Sequence, residues 1–219
     1  MRLWSDSFFD GALLAPAFAF AAIDPDQHVR LAANRNPHLA WDEVPHGTQS
    51  LVLFCHDIDA PSIATDANQA DRVIARELPR VDFYHWTLAD IPVAMASIAE
   101  GAFSDMVTPH GKSGPAAPFT VKNGCEHALR QGVNDYTSWF ADDADMAGEY
   151  YGYDGPCPPW NDLRPHTYLF TLYALEVPRL ALEGRFTGPE ARLAIRDHIL
   201  DEARVFCVYS LNPSVAAAL

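Results

Sequence analysis

The sequence predicts a mainly β fold with one late helix, on three observations. Four runs rich in β-branched and aromatic residues stand between turn formers, at 51–56, 81–88, 166–175 and 205–210. The 17 prolines are spread along the whole chain, which suits short strands and structured loops better than a helical bundle. One segment alone, near the C-terminus, carries a full helix-start signal.

Taken in order, the first problem is the apolar stretch from Phe8 to Ile23, which imitates the core of a signal peptide. Asp6 and Asp10 stand where positive charge belongs, Gly11 and Pro16 interrupt the run, and it is too short to span a bilayer. We therefore assign it to the domain as a strand or hairpin. The run 51–56 is a continuous apolar strand ending at Cys55 and His56. Residues 67–77 hold neither Gly nor Pro and predict a short helix. The strand 81–88 carries His85 and Trp86. Residues 97–130 and 136–165 read as long irregular loops, a length usually kept for function.

In 166–175, His166, Tyr168, Phe170 and Leu172 share one face, while Thr167, Leu169, Thr171 and Tyr173 share the other. Both faces are largely apolar, so this strand is central. Thr187-Gly188-Pro189-Glu190 is a capping box with proline in the first turn, followed by Ala191, Ile195 and Ile199 at helical spacing. The last strand, 205–210, includes Cys207.

Charge narrows function. Fifteen Lys and Arg face 29 Asp and Glu, a formal net charge of −14. Such a chain is unsuited to gripping nucleic-acid phosphates or docking a polybasic patch on an anionic membrane. No segment is long and apolar enough to predict integral membrane association. Cys55, Cys125, Cys157 and Cys207 lie far apart with no CxxC pair, and read as free thiols of a reducing compartment, the cytoplasm by default.

Four segments carry candidate chemistry: Asp57-Ile58-Asp59-Ala60-Pro61 after a strand, His85-Trp86 within one, the loop from Tyr151 to Pro159, and His166-Thr167-Tyr168 opening the central strand. Each has an ordinary structural reading, with Asp57 capping a turn and the histidines filling the core. Asp57, His85 and His166 also have the ligand types of a metal site, although their spacing does not demand one. Gly111-Lys112-Ser113-Gly114 is no phosphate loop, because the upstream glycine position holds Met106. Asp142, Asp143 and Asp145 are a solvated surface. Trp139, Phe140 and Trp160 either flank a pocket or simply pack.

Together these segments resemble the phosphatidylethanolamine-binding protein family, the Raf-kinase-inhibitor-like proteins, in its bacterial branch. The resemblance starts at Asn36-Pro37-His38-Leu39-Ala40-Trp41 and Val44-Pro45-His46-Gly47-Thr48-Gln49-Ser50, includes Gly132-Val133-Asn134-Asp135, and ends at Tyr173-Ala174-Leu175. Ile58 replaces the usual proline between the aspartates, and Trp160-Asn161-Asp162 follows Pro159 where glycine is common. The resemblance implies a single domain over 1–219: a β-sandwich of antiparallel sheets with Greek-key connections and peripheral helices. It also implies a small anion-binding pocket at Asp57, Pro61, His85, Gly155, Pro156, His166 and Tyr168.

An anion in a partly dry pocket needs N–H or O–H donors. We expect His85, His166 and the backbone at Gly155 to supply them, with Asp57 orienting a histidine and the Tyr168 hydroxyl reaching the same site. Affinity is then expected to rise as pH falls below about 6.5, the reference histidine value. The expected function is binding of a small anion, phosphate or a phospholipid headgroup, without cofactor or metal. A regulatory role through a protein partner and a homodimeric state both stay open. The alternative is an enzyme, hydrolase or isomerase, using the same His/Asp/Tyr groups for acid–base chemistry.

Overall fold

In this computed structural model, residues 1–120 and 126–219 are described, the side chains at 118–127 excepted. Cys125 therefore lies outside the described residues. Eleven strands among them form antiparallel sheets. The largest has six strands in the order β11 (Ile199–Tyr209), β10 (His166–Leu175), β5 (Ser50–Pro61), β6 (Arg80–Ile91), β9 (Glu126–Gln131) and β8 (Ala116–Thr120). A second sheet orders β1 (Arg2–Trp4), β4 (Leu39–Asp42) and β7 (Ser97–Ile98). The hairpin β2 (Ala21–Asp24) and β3 (His28–Leu31) stands apart.

The period-2 alternation of β5 divides the interior. Leu51, Leu53 and Cys55 join Trp86, Leu88, Phe170 and Leu172 in the main core, together with Leu3, Leu39, Trp41 and Ile98 from the three-stranded sheet. Val52 and Phe54 face the other way, into a second core with Tyr173, Leu180 and Phe186. That core is covered by α2 (Gly188–Ile195) through Ala191 and Ile195. The predicted central strand pairs with β5 on one side and β11 on the other.

The Phe8–Ile23 stretch is apolar because it is core. Phe8, Leu14, Phe18 and Ala19 are buried in the main cluster, and Leu14 N–H donates to the Val208 carbonyl beside β11. It forms a short 3₁₀ turn, Pro16–Phe18, and the first strand of the β2–β3 hairpin. The helix expected at 67–77 does not form. Asn161 Nδ2 donates to the carbonyls of Asp66, Gln69 and Arg72, and its Oδ1 accepts from Asn68 N–H. A distant side chain thus satisfies backbone groups that a helix would have paired, and Asn68 sits at φ 60°. The two long loops also contain structure: β7 and the β8–β9 hairpin in the first, and α1 (Tyr136–Trp139) in the second.

The Thr187 hydroxyl accepts from Glu190 N–H while the Glu190 carboxylate accepts from Thr187 N–H, closing the predicted capping box. Thr187→Ala should cost about 1 kcal/mol. Urea unfolding should show this as a lower midpoint at unchanged slope; an unchanged midpoint would mean that packing alone holds α2.

Candidate functional site

Two irregularities in the β5–β6 ladder build the site. Cys55 pairs with Trp86, but the next pair is His56 with Tyr84, so His85 is the extra residue of a β-bulge. Strict alternation would send His85 to the face opposite Trp86. The bulge instead puts His85 beside Tyr168, on the main-core side, while Tyr84 packs with the second core. The second irregularity lies between Asp57, opposite Phe83, and Ala60, opposite Val81, and it takes in Ile58 and Asp59. Across the next ladder Tyr168 is directly opposite Asp57.

These residues wall a cavity of about 190 Å³. Asp57, Pro61, His85, His166 and Tyr168 line it, with Ala60, Val81, Phe83, Tyr136, Trp139, Cys157, Pro158 and Pro159. Gly155 and Pro156 do not. Gly155 N–H is already donated to Asn34 Oδ1 at 2.8 Å, and the Gly155 carbonyl accepts from the Tyr136 hydroxyl at 2.8 Å. Glycine is needed there because a Cβ would lie 2.1 Å from the Phe18 carbonyl oxygen, not to let an anion approach. Trp139 flanks the cavity. Phe140 stacks on Tyr136, and Trp160 stacks on His28 at 3.8 Å, away from it.

His166 is not a free donor either. Its Nδ1 donates to Asp57 Oδ2 at 2.6 Å and its Nε2 to Asp162 Oδ2 at 3.1 Å. Burial alone would lower its pKa, but the two carboxylates carry it up to about 9, so the ring is a cation at neutral pH. Asp162 is also held by Arg80, at 2.5 and 3.1 Å, and those bonds with His166 keep its carboxyl below the usual range despite burial. Asp57 Oδ1 accepts from Asp59 N–H at 2.7 Å, and Asp59 is paired with Arg164 at 2.8 Å.

His85 is the opposite case. Its Nδ1 lies 2.7 Å from the Asp154 carbonyl oxygen, which can only accept, so Nδ1 carries the proton. Burial lowers its pKa to about 4 against the pull of Asp57, leaving a neutral ring whose Nε2 has no protein partner among the described residues. The Asp154 carboxylate is fully buried, held by Asn34 at 2.7 Å, Lys112 at 2.6 Å and Asn134 at 2.9 Å. These bonds fix the loop that fixes the histidine.

The Tyr168 hydroxyl is buried and has no hydrogen-bond partner among the described residues. Burial holds its pKa well above the phenol range, so it remains an O–H donor. The Cys157 thiol is pushed up to about 12 by burial and is no nucleophile at neutral pH. Of the three residues with metal-ligand chemistry, Asp57 and His166 spend their polar atoms on each other, on Asp162 and on Asp59 N–H, and His85 keeps Nε2 alone open.

Arg80, Asp162, Arg164 and Asn134 support the site but carry no marking as candidates in the sequence. Asp162 follows Trp160 and Asn161 in the segment that departs from the family pattern, and its position four residues before His166 is a signal available only afterwards.

Comparison with known proteins places the whole chain. A family model described as phosphatidylethanolamine-binding protein matches residues 4–210. UPF0098 protein YbhB of Escherichia coli is 26% identical over 210 residues, covering 96% of this chain and all of the relative. A UPF0098 protein of Aquifex aeolicus is 28% identical over 174 residues, 80% of this chain and 73% of its own. The crystal structure of E. coli YbcL, described as a new member of the mammalian PEBP family, superposes with a TM-score of 0.64 at 21% identity, over 95% of this chain and 97% of that one.

The two histidines should impose opposite pH limits on stability. His166 binds its proton more tightly folded than unfolded, so its contribution is complete below about 6.5 and is lost as pH rises through about 9. His85 is held neutral, so its contribution is complete above about 6.5 and is lost as pH falls through about 4. Urea midpoints should therefore peak near neutrality and decline on both sides. A midpoint constant from pH 7 to 9.5, or an alkaline decline unchanged in His166→Gln, would contradict the His166 assignment.

Proposed function

The chain belongs to the phosphatidylethanolamine-binding protein family, and from that premise we propose that its cavity binds a small anion, a phosphate or a phosphoethanolamine-like headgroup. Family membership itself makes it a ligand-binding protein of that type. The observation that carries the finer reading is the Tyr168 hydroxyl. A buried hydroxyl without a partner costs about 1–3 kcal/mol, a cost that an acceptor oxygen in the cavity would remove. The His85 ring packs edge-on to the Tyr168 ring at 5.1 Å, and the His166 cation is held between its carboxylates in the same wall. The apolar walls at Ala60, Pro61, Val81 and Pro158 keep competing water sparse, which strengthens each polar contact.

The pH response differs from the sequence expectation. His166 is already charged at neutral pH and has given both N–H groups away, so it adds nothing new as pH drops below 6.5. The response rests on His85 and on the ligand's own protonation. Free thiols at Cys55, Cys157 and Cys207 support a reducing compartment, the cytoplasm, as the place of work. Among the described residues no helix is long and apolar enough to cross a membrane.

Calorimetric titration with inorganic phosphate and phosphoethanolamine between pH 5 and 8 tests this reading. Saturable binding that tightens towards low pH is expected, and Tyr168→Phe should weaken it about tenfold or more through loss of one charge-assisted hydrogen bond. No uptake at any pH, with Tyr168→Phe and His85→Ala behaving like the wild type, would reject it.

A further inference from the structure

Deepening that anion-binding reading, on which this rests, we infer that at neutral pH the cavity selects ligands that bring their own acidic proton: phosphomonoesters in preference to phosphodiesters. The inference follows from counting the hydrogen-bonding atoms still free. Asp57 has both oxygens occupied, by His166 and by Asp59 N–H. His166 has both N–H groups occupied. The Tyr136 hydroxyl donates to the Gly155 carbonyl, the Asp154 carboxylate is saturated by Asn34, Lys112 and Asn134, and the Cys157 thiol stays protonated. What remains among the described residues, in the buried part of the cavity, is one donor, Tyr168 O–H, and one acceptor, His85 Nε2; the Ser62 hydroxyl and the Trp139 indole N–H line only its exposed rim.

A neutral His85 is the product of its burial among the Phe83, Tyr136 and Tyr168 rings, and the backbone decides where a second proton would go. Its Nδ1–H is committed to the Asp154 carbonyl, so a second proton on the ring would have to sit on Nε2, inside the cavity. The charged groups nearest it are Asp57 and His166, which oppose each other, and His56 on the other face of β5 adds to the cost. Burial dominates, and the ring takes that proton only at about pH 4.

A site with one donor and one acceptor matches a group that offers one acceptor and one donor. A phosphomonoester monoanion has both: an oxygen for Tyr168 and a P–OH that donates to Nε2. A diester, including the phosphate of an intact phospholipid, has no P–OH and leaves the Nε2 lone pair facing an oxygen. Seated against Nε2, it needs His85 to be protonated from solvent. The monoester needs one proton with a pKa of about 6, the ring one with a pKa of about 4. At pH 7 the difference should favour the monoester by roughly 10- to 100-fold.

The test is paired titration of the full chain with methyl phosphate and dimethyl phosphate from pH 5 to 8. It is joined to the ¹⁵N shift of His85 Nε2 in the methyl phosphate complex at pH 7. Methyl phosphate should bind at least tenfold tighter at pH 7 and level off below about pH 6. Dimethyl phosphate should still be tightening at pH 5. The bound His85 should keep a neutral, pyridine-type Nε2. Equal affinities with parallel pH profiles, or an imidazolium His85 in the methyl phosphate complex, would overturn the inference while leaving anion binding intact. Failure of both ligands to bind at any pH would overturn the anion-binding reading and this one with it.

Discussion

Beneath the cavity, Asp57, Asp59 and Asp162 face Arg80, Arg164 and the His166 ring, and the cluster is neutral only when His166 is charged. Much else in the site depends on that balance. Removing one member of a buried pair strands its partner at a cost of about 3–5 kcal/mol. Desolvation makes such networks poor sources of net stability, but they fix geometry. Here they tie β5, β6 and β10 to the 159–166 segment, so the ends of three strands and the loop above them keep one relative position. A protonated His166 with both nitrogens committed is thus a structural element of the floor.

The same accounting explains why the two histidines differ so much although both are buried. His166 lies between carboxylates, and their attraction outweighs desolvation. His85 meets a carbonyl oxygen on one side and aromatic rings on the others, Phe83, Tyr136 and Tyr168. Desolvation wins there. At neutral pH one fold therefore holds a cationic and a neutral imidazole within a single small site.

Much of the fold was legible before any coordinates. β10 runs over the predicted 166–175, and the α2 capping box is formed as the Thr-x-x-Glu spacing implied. Both rest on local chemistry: side-chain alternation in one case and a reciprocal cap in the other. The expected helix at 67–77 failed for the complementary reason. Its propensity was real, but Asn161, some 90 residues away, supplied better partners for the same backbone groups. Five of the seven candidate site residues line one cavity. Gly155 and Pro156 shape the loop behind it, where the glycine is required by a close approach to Phe18.

By itself the sequence determined the β-rich class, the central strand, the last helix and the family. The acidic charge also determined that the chain as a whole repels an anion at long range. Those properties follow from residue type and spacing, which a linear reading retains. Tertiary structure alone decided the chemistry of the pocket. A one-residue bulge turned His85 inward, a carbonyl from the 151–159 loop chose its tautomer, and Asp162, held by Arg80, occupied the second nitrogen of His166. Whether a buried donor is free depends on every neighbour that reaches it, and those neighbours come from segments far apart in the chain.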